Sequence, residues 1–113
     1  MTSLFRRQSR QPNAVLIADD SGLRSEGAMP WRANWASVRR VSAYKVDLFI
    51  VDEIRVEFLM HDGAVRVVTE EDAGFETLMD QLVRRFPSTS GWQSKVLQPP
   101  FASQRTVLYS SEG

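Results

Sequence analysis

The chain has 113 residues, carries 42% apolar residues and has a formal net charge of zero. That length suits one domain with one ordinary core, and no apolar run approaches the roughly 18 residues a membrane-spanning helix needs. The absence of cysteine excludes a disulfide framework, thiolate zinc sites and cysteine nucleophiles, and the balanced charge argues against a domain built for bulk nucleic-acid binding.

Residues 1–13 are polar and aperiodic, with Arg6, Arg7 and Arg10 among them, and read as a disordered basic arm. They hold no apolar stretch of the kind a secretory signal needs, so a cytoplasmic protein is expected. A single α+β domain is expected over 14–110. Ala14-Val15-Leu16-Ile17-Ala18 reads as a short strand that ends in the turn cluster Asp19-Asp20-Ser21-Gly22. Residues 26–34 read as a loop around Pro30. Trp35, Val38 and Val41 recur every third residue, which predicts one helical turn or a bent entry into a strand over Arg39–Val46. Leu48-Phe49-Ile50-Val51 is an apolar quartet flanked by acids and reads as a partly buried hairpin connection.

Ile54 to Thr69 carries the strongest pattern. Asp62-Gly63 suits a two-residue turn, and pairing outward sets Met60 opposite Val65, Phe58 opposite Val67 and Val56 opposite Thr69. That register places those six on one face and Arg55, Glu57, His61 and Arg66 on the other. Phe75, Leu78, Met79, Leu82, Val83 and Phe86 then form one helical stripe. Glu70, Glu71, Asp72 and Glu76 precede or open it, Arg84 and Arg85 close it in accord with the helix dipole, and Pro87 stops it. Trp92 and Val96 suggest a second short turn. Phe101, after Pro99-Pro100, is expected to pack, and Thr106–Tyr109 to form a last strand. The fold class is therefore α+β: a twisted antiparallel sheet covered by one main amphipathic helix. Pleckstrin-homology-like folds are one arrangement of such parts, although theirs close on a helix.

The chemistry-bearing residues are sparse. His61 is the sole histidine, and beside an exposed turn it reads as a surface residue rather than an acid or base, which would need a cleft and an orienting partner. No serine sits in Gly-x-Ser-x-Gly, and no phosphate-binding glycine loop occurs among the six glycines. Hence no catalytic residue and no cofactor are assigned.

Charge, by contrast, is polarised. Residues 47–80 hold ten acids against Arg55 and Arg66, a net of −8. With the hairpin register above, Asp52 and Glu53 lie across from Glu70, Glu71 and Asp72, so five carboxylates share one edge. A Ca²⁺ site would use such oxygens, but the spacing of acids around a glycine turn that calcium loops show is missing, and no metal ligand is assigned. A solvated helix start with a charged loop beside it is the plainest explanation. An acidic edge is also a complementary surface for a basic partner. Trp35 is assigned to the core and Trp31, following Pro30, to a contact surface.

The string Trp35, Val38, Val41-Ser42-Ala43-Tyr44-Lys45, Asp47, Asp52, then Gly74-Phe75, Phe86-Pro87, Trp92 and Pro99-Pro100-Phe101-Ala102 resembles a group of small uncharacterised bacterial proteins over residues 22–109. The resemblance brings no catalytic motif. In type, such small, cysteine-free, acid-patched proteins are similar to immunity proteins that neutralise bacterial toxins. The expectation is a non-enzymatic cytoplasmic protein-binding module for a basic protein, a toxin effector. Asp47, Asp52, Glu53, Glu70, Glu71 and Asp72 would make the contact and Trp31 would anchor it. Nucleic acid and a membrane span are not expected. The alternative is a pleckstrin-homology-like adaptor that binds a peptide or lipid headgroup through Arg39, Arg40 and Lys45.

Overall fold

The computed structural model describes residues 14–27, 29–47, 51–97 and 105–111. The basic arm, Leu48 to Ile50, and Pro99-Pro100-Phe101 lie outside the described residues. The fold is α+β. Strands β1 (Val15–Ala18), β2 (Gly22–Glu26) and β3 (Trp31–Asn34) form one antiparallel sheet in that order. Strands β4 (Val38–Asp47), β5 (Asp52–Met60), β6 (Val65–Thr69) and β7 (Thr106–Ser110) form a second antiparallel sheet, in the order β6-β5-β4-β7. Helix α1 (Phe75–Arg85) and the one-and-a-half-turn helix α2 (Trp92–Leu97) intervene between β6 and β7. The last described strand is β7, hydrogen-bonded to β4, where pleckstrin-homology order would close on a helix.

Two sheets replace the one expected, because residues 22–26, to which no strand is assigned from sequence, and residues 31–34, expected to be loop, both form strands. Their signal is weak: in β3 the pattern Trp31-Arg32-Ala33-Asn34 buries little but Ala33. Gly22 supplies what the side chains do not. A Cβ there would fall 2.1 Å from the carbonyl oxygen of Ala33, so only glycine lets β2 and β3 approach so closely. The turn before β2 is held by Asp19, whose Oδ1 accepts from the Ser21 hydroxyl (2.9 Å), the Ser21 N–H (2.9 Å) and the Gly22 N–H (3.1 Å). These bonds, the Ser21 hydroxyl first, hold the Asp19 carboxyl below the usual carboxylate range.

A short 3₁₀ turn, Trp35–Ser37, carries the chain from one sheet to the other. Trp35 is buried there as expected and donates its indole N–H to the Asp19 carbonyl at 2.7 Å. One core joins both sheets and both helices. Leu16, Leu23 and Ala33 come from the first sheet, Val41, Val56, Phe58 and Val68 from the second, and Phe75, Leu78, Met79 and Leu82 from the α1 stripe. Helix α1 lies along β1. The Leu16 N–H donates to the Ala73 carbonyl at 2.7 Å, and Arg85 at the other end donates to the Asp20 carbonyl and pairs with its carboxylate. Of the acids expected at the helix start, Glu76 is in the first turn, while Glu70, Glu71 and Asp72 belong to the turn before it.

The hairpin pairing differs from the expected one by a single residue. Leu59 faces Val65, Phe58 faces Arg66, Glu57 faces Val67 and Val56 faces Val68. The cause is a three-residue loop, His61-Asp62-Gly63. Gly63 donates its N–H to the Met60 carbonyl (2.9 Å) and adopts φ of 91°, and the Asp62 carboxylate accepts from the Ala64 N–H (2.8 Å). This is a β-turn followed by a left-handed residue, the loop next in frequency to the two-residue turn. Since side chains alternate, the slip turns β6 over. Val68 and Arg66 face the core side, and Val65 and Val67, 47% and 40% exposed, face outward.

Candidate functional site: an acidic end beside a cleft

The open end of the β4–β5 hairpin gathers charge. Asp47 and Asp52 are directly opposite each other, both exposed, an arrangement that like charges disfavour unless something offsets it. Glu70 is fastened to the same end. Its N–H donates to the Ile54 carbonyl (3.1 Å), and its Oε1 accepts from the Ile54 N–H (2.9 Å), extending the ladder by a side chain. Glu71 follows, its N–H bonded to the Thr69 hydroxyl at 3.2 Å. Asp72 is half-buried, and its Oδ2 accepts from the Thr69 N–H at 2.9 Å.

Two of the expected contact residues are placed elsewhere. Glu53 shares the outer face of β5 with Arg55, opposite the core residues Ile54 and Val56, yet it is only 4% exposed, its Oε1 held by the Arg55 guanidinium at 3.2 Å, so it presents no carboxylate to a partner. Trp31 stands on β3, half-buried, with the Arg66 guanidinium 5.6 Å from its ring centroid. Arg66 is near the turn end of β6, whereas Glu70 follows its other end, so Trp31 and the acids occupy different parts of the molecule.

Pattern reading missed two acids. Glu76 and Asp80 lie four residues apart on the exposed side of α1, a spacing that places them together on the helix surface. With Glu70 they rim a cleft of about 290 Å³ floored by Ile54, Phe75, Met79 and Trp92. Phe75 and Trp92 meet edge to face, with centroids 6.0 Å apart at 78°. The i, i+4 acids were the available signal; assigning Glu76 to the helix dipole hid it.

The bases of the alternative reading do not converge. In the continuous β4–β5 register Arg40 pairs with Leu59 and Lys45 with Ile54, so they point to opposite faces of the sheet. His61 is exposed, and its neighbour Asp62 is engaged with the Ala64 N–H. Among the described residues no group of three or more acids or histidines is close enough to hold a metal ion, and no helix is long and apolar enough to cross a membrane. Compared with protein-family models, curated proteins and solved structures, the chain gives no match.

Proposed function

We propose that the chain is a non-enzymatic module that binds a basic protein through its acidic end, in the manner of the immunity proteins that neutralise bacterial toxins. The observation that carries the reading is the fastening of Glu70 to Ile54 by its N–H and its carboxylate. That pair of bonds sets Glu70 beside the opposed Asp47 and Asp52 and at the rim shared with Glu76 and Asp80. Exposed carboxylates on a rigid sheet end and a helix produce a directional negative field, which speeds encounter with a cationic surface and is weakened by salt. The contact set is Asp47, Asp52, Glu70 and Glu71, joined by Glu76 and Asp80. The same reading makes the protein cytoplasmic and bacterial, where a toxin's cationic active site would be its target.

Affinity capture from the native cell lysate, washed at low and at high salt and identified by mass spectrometry, tests it. A basic protein retained at low salt and released by salt is expected. No retained protein at either salt would overturn the reading.

A further inference from the structure

Resting on that reading, we infer that the cleft between α1 and α2 is a socket for one arginine side chain of the protein partner. Its volume, about 290 Å³, falls just below the ~300–1,000 Å³ of small-molecule pockets and suits a single side chain better than a cofactor. The floor is apolar and aromatic, with Phe75, Met79 and Trp92 in contact with one core. The rim holds Glu70, Glu76 and Asp80. Among the described residues neither Glu76 nor Asp80 has a cationic partner, although like charges four residues apart work against a helix. That arrangement gains from a cation brought by another molecule.

Trp92 adds an observation independent of charge. It is 7% exposed and lines the cleft, and its indole N–H has no acceptor among the described residues. That N–H is not a buried orphan but is open to water, and the backbone carbonyl that accompanies an inserted side chain would replace the water as its acceptor. Arginine fits better than lysine. Its guanidinium is planar, spreads five donors over more than one carboxylate, stacks on aromatic rings and is weakly hydrated, while its methylenes cover the apolar floor.

The test uses the full chain, ¹⁵N-labelled, and the blocked peptide acetyl-Gly-Gly-Arg-Gly-Gly-amide as probe, with its citrulline counterpart as the uncharged control. The Trp92 indole signal is identified by its loss in Trp92→Phe. A saturable shift of that signal with the arginine peptide is expected. Binding should be about tenfold weaker with citrulline, the loss of one charge-assisted hydrogen bond, and should weaken likewise in the double variant Glu76→Gln, Asp80→Asn. An unmoved Trp92 signal, or equal binding of the two peptides, would overturn the socket. A decalysine peptide, followed at the Asp52 and Glu71 amides, separates this from the parent reading. Shifts there with Trp92 unmoved by arginine would reject the socket and keep the acidic end. The reverse result would reject the acidic end and keep the socket.

Discussion

Phe58 stands directly opposite Arg66 across β5 and β6, so a guanidinium is carried on the same face as one of the most deeply buried side chains of the core. Its Nε is buried and has no hydrogen-bond partner, and the group stacks beneath Trp31. The apolar stem is what packs there. Arg66→Met keeps the stem and removes an unsatisfied donor, so it should be neutral or stabilising by up to about 1 kcal/mol, whereas Arg66→Ala should cost about 1–2 kcal/mol in lost packing. Urea unfolding of the two variants checks this; equal losses would contradict it.

The turn that sets this register depends on Gly63, at φ of 91° with nothing within 4 Å of an added Cβ. Gly63→Ala should therefore cost only the left-handed backbone penalty, about 1–2 kcal/mol, and Gly63→Asn less. Gly74, at φ of 87°, differs because a Cβ would fall 2.2 Å from the Leu16 carbonyl oxygen. Gly74→Ala should be the more damaging by more than about 2 kcal/mol, since it also separates α1 from β1. Thermal or urea denaturation ranks the three; Gly63→Ala falling as far as Gly74→Ala would contradict the account.

Glu53 and Arg55 make a pair whose carboxylate is buried while the cation is partly exposed. Arg55→Ala leaves that carboxylate without its donors and should cost about 2 kcal/mol. Replacing both residues by leucine should recover most of the loss, because a well-packed apolar pair commonly matches a buried ionic one. The check is the double-substitution cycle in urea; no recovery in the double variant would show that the charge itself is required.

Asp19 provides a pH dependence. Hydrogen bonds from the Ser21 hydroxyl and from the Ser21 and Gly22 N–H groups lower its folded pKa. A lowered folded value means that the contribution to stability is complete above the unfolded aspartate range and is lost as pH falls through the folded value. Asp19→Asn should therefore be less stable than the parent chain at neutral pH, with the gap closing as pH drops below the ordinary carboxylate range. A gap unchanged down to strongly acidic pH would show that the three bonds do not depend on ionisation.

Elements with a long, unambiguous period were legible from the residues. The α1 stripe from Phe75 to Leu82 is buried as its spacing predicts, and β4, α2, β7 and the Trp35 turn fall where expected. Of the first sheet only β1 was legible, because β2 and β3 are short, β3 buries little besides Ala33, and the two are brought together by the close approach at Gly22 more than by a continuous apolar pattern. The β6 register was misjudged by one residue because Asp-Gly serves both two- and three-residue loops, and the choice shows only in the bonds of Gly63 and Asp62. The acidic end was legible as charge density. What sequence could not separate was Glu53, buried in its pair with Arg55 on the outer face of β5, from the exposed Asp52 beside it, nor could it bring Glu76 and Asp80 to the rim with Glu70.

The same geometry decides how the acidic end must be probed. Reversing Glu70 would break the Ile54 bond and disturb the sheet, so Asp52 and Glu71 are the positions to reverse. The measurement is the association rate of the captured basic partner with the parent chain and with Asp52→Lys, Glu71→Lys, followed across ionic strength. The account predicts a rate about tenfold lower at low salt with a flattened salt dependence, and an unfolding midpoint close to that of the parent. An association rate that is unchanged at every salt concentration would contradict it.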